Sequence, residues 1–570
     1  MFYPKIPDDD YYEKITKKYS KYTIPKTKKT INEMCYPKSY QFQIPQQFVS
    51  EYINPKTPYK SLLVYFGIGA GKSCAAIKIA ENFTHIHNMK ILIVLPAALK
   101  GNFRYELYTP CTGNKYITHK QRERLKKLFP TDKEYTEIIN SVNKKIDKHY
   151  EIISYNKFIN ELQNGRKLDN TLLIIDEVHN MISETGIYYK TLFDAITRKT
   201  VNFRLVIMTA TPIFDKPSEF ALILNLLYGK KVVPIGVDFI KSFIKITIDK
   251  DGKKYYSVIN PDLFKKYVKG YVSYYRGAPA HAYPAYKIKI SKCKMSDHQK
   301  KLYMKIIKKE MKTVKLNNDL VDEISNSFFI GTRMVSNIAY PNMRIGDSGY
   351  DSLSNKVTTK DFVKYSCKMT RSIRQIRKTK GTVFVYSNFK EYGGIKPYIK
   401  LLELYGYKNY EDYGPGRKRY AIWSGDQNID VKNKIKETFN NPLNMDGAMI
   451  KIIIGSPSAK EGVSFLRVQL VHVLEPYWNW SRMDQIIGRA IRYCSHKDMD
   501  PDRRFVDVRI FIATHPDINM SVDEYILRMA ISKQTLNKQF ERLIKEAAID
   551  CTLFKNANVE PGENPIICEY

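Results

Sequence analysis

Several absences narrow what this chain can be. No run of about 18 apolar residues occurs, so no membrane-spanning helix is expected. The opening stretch MFYPKIPDDDYYEK has no basic segment followed by an apolar one, so no secretory signal is expected. The 8 cysteines (Cys35, Cys74, Cys111, Cys293, Cys367, Cys494, Cys551 and Cys568) stand singly. Without a C-x-x-C pair, nothing indicates a zinc ribbon or a thioredoxin-type site, and a reducing compartment is the expectation. Internal repeats and low-complexity tracts are also missing. Acidic residues are in short supply: 58 Asp and Glu face 93 Lys and Arg, a formal net charge of +35. A surface that basic favours a polyanionic partner, nucleic acid first, with general solubility as the alternative that composition leaves open. At 570 residues the chain exceeds one core, so three or four domain-sized units are expected.

What is present begins with YFGIGAGKSCAAIKIAENF, residues 65–83. The apolar run Ser61–Tyr65 leads into a Gly-rich turn, then Lys72-Ser73, then an Ala/Ile-rich segment: strand, tight loop, helix. Along Gly67, Ile68, Gly69, Ala70 and Gly71, backbone N–H groups can converge on phosphate oxygens, and the helix N-terminus adds its positive dipole end. Lys72 is then expected to reach the β- and γ-phosphates of ATP, and the Ser73 hydroxyl to hold Mg²⁺. Cys74 closes the stretch and reads as a small buried hydrophobe. Phe66 stands where the usual phosphate-loop pattern has its first Gly.

The stretch NTLLIIDEVHNM carries a second signal. Leu172–Ile175 is wholly apolar, as expected of a parallel strand buried on both faces, and it ends in Asp176-Glu177. Ligands bind at that edge of open α/β sheets. Asp176 is expected to bind the Mg²⁺ held by Ser73, and Glu177 to orient and deprotonate an attacking water. By itself an Asp-Glu pair can merely cap a helix; the two signals together are read as lying on neighbouring strands. Lys90–Phe103, Tyr150–Phe158 and Phe203–Leu227 continue the strand–helix rhythm, the last through Thr209-Ala210-Thr211. The rhythm returns at Gly381–Phe389, Tyr420–Asp426, Ile450–Gly462 and Val468–Pro476, predicting a second parallel sheet without a phosphate loop. QIIGRAIR follows, where Gln485, Arg489 and Arg492 recur at helical spacing and are read as sharing one helix face. The two arginines are expected to act as fingers on the γ-phosphate.

In this order the residues resemble superfamily 2 helicases and translocases, over roughly positions 40–500. IPQQFVSEYINPKTPYKSLLVYFGIGAGKS, FVYSNFKEYGGI and RMDQIIGRAIRYCSH look like the helicase-type transcription ATPases of large cytoplasmic DNA viruses, such as the poxvirus nucleoside triphosphatase and early transcription factor small subunit. The resemblance implies an α/β fold of two RecA-like lobes, each a parallel sheet flanked by helices, with a mainly helical bridge. It implies that Gln46, with Gln47 as competitor, reads adenine; that Gly69, Gly71, Lys72 and Ser73 form the loop; and that Asp176-Glu177-Val178-His179 is the D-E-x-H box. His179, Thr209 and Thr211 would couple hydrolysis to nucleic acid. Ser458, Glu461 and Gly462 resemble the fifth motif, and Gln485, Arg489 and Arg492 the sixth. Phe66 is tolerated in the remodeller-like branch.

The implied organisation is an N-terminal arm (1–38), a first lobe (39–228), a bridge (229–354), a second lobe (355–514) and a C-terminal helical tail (515–570). Within the bridge, Tyr303, Ile307, Met311 and Val314 are expected on one face of a basic amphipathic helix, and NMRIGDSGYDSLSN as a mobile loop. The implied activity is a DNA-dependent ATPase tracking along DNA in viral transcription, with viral RNA polymerase or other transcription factors as partners, in host cytoplasm and virion. A helicase of replication, recombination or packaging is the alternative, and a non-hydrolysing DNA clamp a third.

Overall fold

The computed structural model describes residues 3–26, 29–129, 132–198, 200–250, 254–312, 327–354, 356–457, 463–559 and 565–568. Short apolar runs rich in Ile, Leu and Val become strands buried on both faces, as parallel sheets covered by helices require. The first are β1 (Ser61–Phe66), β2 (Lys90–Leu95), β3 (Tyr150–Ser154), β4 (Thr171–Asp176) and β5 (Arg204–Thr209). An antiparallel hairpin follows, β6 (Ile244–Ile248) and β7 (Lys254–Val258), and then β8 (Val272–Tyr275). Strands of the first sheet run in the order β3-β2-β4-β5-β1-β8, all parallel.

That order corrects one expectation. β1 and β4 are not neighbours, because β5 lies between them: Asp176 pairs with Met208, and Met208 with Val64. Strand order follows from which face each connecting helix covers, and local periodicity carries no trace of it.

The chain forms two compact units, Met1–Ala280 with Thr535–Tyr570, and His281–Gln534. In the first, Leu62, Val64 and Phe66 of β1 share a core with the helices Ile44–Tyr52 and Lys72–Glu81. Tyr11, Tyr12, Ile15 and Tyr19 belong to that core, as do Leu553 and Phe554. The N-terminal segment read as an arm is therefore packed, through the helix Tyr11–Lys18. The segment read as one tail divides at residue 535, and its last part is built into the first unit. There the Tyr12 hydroxyl donates to the Ala547 carbonyl at 2.8 Å, and the Asp550 carboxylate accepts from the Tyr274 N–H at 2.9 Å and from the Ser273 hydroxyl.

The second unit contains β9 (Ala285–Lys294), β10 (Thr382–Tyr386), β11 (Lys408–Asn409), β12 (Arg419–Trp423), β13 (Ile452–Gly455), β14 (Val468–Val473) and β15 (Phe505–Thr514). They form one parallel sheet in the order β11-β12-β13-β10-β14-β15-β9. The segment read as a bridge thus gives β8 to the first sheet and β9 to the second. β9 pairs with β15 from Ala285↔Phe505 to Lys294↔Thr514. Its side chains are mostly exposed, as an edge strand's are, so it never reads as an apolar run. The helix Asp297–Glu310 buries Leu302 and Tyr303, while Met311 follows its end exposed and Val314 lies outside the described residues. The stretch expected as a mobile loop holds the short helix Asp347–Tyr350, with Gly349 buried. Among the described residues no helix is long and apolar enough to cross a membrane.

Candidate active site

At the end of β1 the chain turns through Gly67–Gly71 and enters the helix Lys72–Glu81. Gly69 and Gly71 take φ of 79° and 78°, left-handed values that other residues rarely adopt. The Gly67 N–H donates to the Tyr275 carbonyl at 2.9 Å, and a Cβ on Gly67 would run into the Arg276 carbonyl. Phe66 turns its ring into the core, edge-on to Tyr275 at 5.6 Å between centroids. Its side chain therefore leaves the phosphate cradle free, which accounts for an aromatic where the usual pattern has glycine. Lys72 Nζ lies 3.4 Å from the Phe66 carbonyl at the loop's entry.

Of the two candidate glutamines, Gln46 is the one brought to the loop. Its Nε2 donates to the Gly71 carbonyl at 3.0 Å, and its Oε1 accepts from the Gln43 N–H at 2.9 Å. Gln47 instead donates to the nearby Phe42 carbonyl at 3.0 Å. Cys74 is not a plain hydrophobe: it is disulfide-bonded to Cys111, with Cα atoms 5.5 Å apart. The Glu106 carboxylate lies 3.9 Å from the Cys74 sulfur and 4.0 Å from that of Cys111, and burial pushes its pKa up. Cys551 and Cys568 are likewise bonded. Cysteines scattered along the sequence can thus pair in space, because the fold returns distant segments to one another.

At the end of β4, Asp176 is nearly buried and its Oδ1 accepts from the Glu177 N–H at 2.9 Å. Glu177 adopts φ 51°, and the Tyr155 hydroxyl donates to the carbonyls of Asp176 and Glu177, holding the bend. His179 gathers the pieces. Its Nδ1 lies 3.5 Å from a Glu177 carboxylate oxygen, 3.3 Å from Thr209 Oγ1 and 3.5 Å from Thr211 Oγ1. The Thr211 N–H donates to Thr209 Oγ1 at 3.0 Å. His179 stacks on Phe214, 4.7 Å between centroids and 11° from parallel. Phe214 is held by Glu219, whose carboxylate accepts the N–H groups of Phe214 at 3.0 Å and Asp215 at 2.9 Å. Burial, with Asp215 beside it, pushes the Glu219 pKa up to about 7. Tyr155, Phe214 and Glu219 were not legible as site residues; only the position of Phe214, three beyond Thr211, hinted at a role.

In the second unit Gln485 lies in the helix Trp480–Ile487, capped by Asn479, whose Oδ1 accepts from the Arg482 N–H at 3.1 Å. The helix ends before Gly488, so Arg489 and Arg492 sit in the turns beyond it and do not share its face. The turn has a purpose that periodicity hides. It lets the Arg489 carbonyl accept from the Phe465 N–H at 2.9 Å, while Arg489 Nη1 donates to the Val463 carbonyl at 3.3 Å. Arg492 donates its N–H to Ser495 Oγ at 3.3 Å. Ser458, Glu461 and Gly462 lie outside the described residues.

Two parallel sheets, the first bearing a phosphate loop and a strand-end Asp-Glu-x-His joined to a Thr-Ala-Thr turn, define a helicase-type ATPase of superfamily 2, an ATP-hydrolysing enzyme. A SNF2-related domain matches residues 21–338 and a helicase conserved C-terminal domain matches residues 367–494, and the chain belongs to this SNF2-related helicase family. It is 56% identical to a protein of Acanthamoeba polyphaga mimivirus named "putative ATP-dependent RNA helicase R563", over 100% of this chain and 99% of that one. It is 23% identical to a termination factor NPH-I homolog of African swine fever virus, covering 86% of this chain and 76% of the relative.

Proposed function

We propose that this ATPase is stimulated by DNA and tracks along it during viral transcription, in concert with RNA polymerase in host cytoplasm and virion. The observation that carries the reading is the His179 bridge, which touches the carboxylate of Glu177 on one side and Thr209 and Thr211 on the other. A change at the Thr-Ala-Thr turn cannot occur without moving a partner of the hydrolytic carboxylate. The net charge of +35 supports a nucleic-acid track, and the relative named as a termination factor supports transcription.

In this mechanism the Gly67–Gly71 backbone and Lys72 hold the triphosphate, and Gln46, bonded to the Gly71 carbonyl, reports whether adenine is bound. Ser73, at the start of a ten-residue helix, and Asp176, at a strand end, are hard oxygen donors suited to Mg²⁺, which would neutralise the β- and γ-phosphate charge. Glu177 takes a proton from the water attacking the γ-phosphorus, and the bond to the bridging oxygen of ADP breaks. Arg489 and Arg492 supply positive charge to the γ-phosphoryl group in the ATP-bound state. Contacts to the track are mainly to phosphate, since a motor must not depend on base sequence.

RNA is the second reading, favoured by the printed name of the mimivirus relative. Turnover measured without nucleic acid, with duplex DNA, with single-stranded DNA and with RNA separates the two. DNA stimulation is expected; stimulation by RNA alone would overturn the DNA reading, and no stimulation by either would overturn tracking. Glu177→Gln is the matched control and should retain ATP while losing turnover. In Arg492→Ala, turnover should fall by on the order of 10³-fold and the DNA response should vanish. Persistent stimulation in that variant would remove Arg492 from the reaction.

A further inference from the structure

A cavity of about 600 Å³ opens in the first unit at the carboxyl ends of β1, β5 and β8, where Gly67, Ala210 and Tyr274 line it. It lies across the sheet from the phosphate-loop helix. Leu62, Val64 and Phe66 face that helix, so strand alternation turns Tyr65 to the opposite side, where its ring meets that of Tyr274 at 4.8 Å and forms the cavity floor. The wall comes from the C-terminal part of the chain. Lys538, Arg542 and Lys545 recur at helical spacing on the helix Val522–Glu546, and Arg276 enters from the end of β8. Against these four cations the lining holds one carboxylate, Glu541.

The wall is held in position from behind. Arg276 Nη1 donates to the Val559 carbonyl at 2.7 Å, and the Arg276 N–H to Asn558 Oδ1 at 2.9 Å. Arg542 Nε donates to Glu546 at 2.9 Å, but Glu546 also serves Lys265 at 3.2 Å, so one counter-charge is divided between two cations. Lys545 lies over the Tyr274 ring, 5.2 Å from its centroid. Guanidinium forks and mobile ammonium groups around one concavity suit an anion with several oxygens, and phosphate matches both geometries.

We infer that this cavity binds a ligand carrying two or more adjacent phosphates, at a site separate from the phosphate loop. The same chemistry is offered by a nucleotide polyphosphate and by a nucleic-acid backbone. Gly67 opens the phosphate loop and Ala210 lies between Thr209 and Thr211, so the occupant touches both segments of the hydrolytic site.

The test uses the full chain carrying Lys72→Ala, which silences the phosphate loop, titrated calorimetrically with inorganic tripolyphosphate. Binding is expected to persist in this background and to weaken by about tenfold or more when Lys538→Ala and Lys545→Ala are added, because two charge-assisted contacts are lost. Thermal melting checks that the variant folds, and Lys538→Glu alone, which leaves the Tyr274 contact intact, should weaken binding in the same direction. Loss of all binding in Lys72→Ala, or unchanged binding after the lysine changes, would overturn the site. Displacement of tripolyphosphate by oligothymidylate assigns the site to a nucleic-acid backbone, and displacement by ATP alone assigns it to a nucleotide. Displacement by neither would also overturn it. The readout is binding, so it stands or falls apart from the ATPase reading.

Discussion

Gly71 occupies a left-handed φ of 78°, and the Gln46 amide sits where a side chain would begin. Gly71→Ala therefore meets both a backbone cost of about 1–2 kcal/mol and a displaced Gln46. Gly113 has a similar φ of 62° with open space around it, so Gly113→Ala isolates the backbone cost alone. Unfolding free energies of the two variants should fall alike, while ATP affinity should fall only for Gly71→Ala. Equal ATP affinities would detach Gln46 from nucleotide binding. Asp550 makes a different residue-scale prediction. Burial pushes its pKa up to about 7, from 3.8. The folded chain then holds a proton that the unfolded chain has released, so stability declines as pH rises from about 4 to about 7. Glu219 contributes with the same sign between its ordinary 4.5 and about 7. In Asp550→Asn the amide oxygen still accepts from Tyr274, so part of that decline should disappear in urea melts at pH 5 and pH 8. An unaltered slope would place the ionisation elsewhere.

Among elements, the join between the helix Cys367–Ile376 and the start of the helix Val522–Glu546 rests on a buried ion pair. Lys368 Nζ lies 2.5 Å from Asp523 and 3.0 Å from Asn337 Oδ1, with both charged side chains almost wholly enclosed. Asp523 also accepts the Ala513 N–H at 2.8 Å, which ties the pair to the last turn of β15. Removing the cation strands a carboxylate away from water, and Lys368→Met is expected to cost about 3–5 kcal/mol. Adding Asp523→Asn should recover much of that loss. Chemical denaturation of the single and double variants checks the coupling, and a single-variant loss below about 1 kcal/mol would mean that Asp523 stays hydrated.

At the scale of the whole molecule, the excess of 93 basic over 58 acidic residues governs how it meets a track. If about 5 phosphates are neutralised, single-strand affinity should fall with salt at a log–log slope of about −0.7 per contact, with little dependence on base sequence. Fluorescence anisotropy across a salt series measures this. A flat response would point to base recognition or to a partner that is not nucleic acid.

The sequence by itself determined the chemistry of the first unit. A Gly-rich turn needs its left-handed φ values, and buried parallel strands need unbroken apolar runs, so the phosphate loop and the Asp176-Glu177 strand end are both written locally. The strands of the second sheet that are buried on both faces were legible for the same reason. Tertiary structure decided what depends on distant segments. It placed β5 between β1 and β4, and it added the exposed edge strand β9 to β15. It ended the helix at Ile487 so that the Arg489 backbone could meet Phe465, and it built residues 3–26 and the chain beyond 535 into the first core. It also put Phe214 and Glu219 behind His179 and closed a cationic wall over Tyr65 and Tyr274. Each of these depends on which surfaces are covered once the helices pack, and a pattern of period two or 3.6 records only that a residue faces inward, not what it will face.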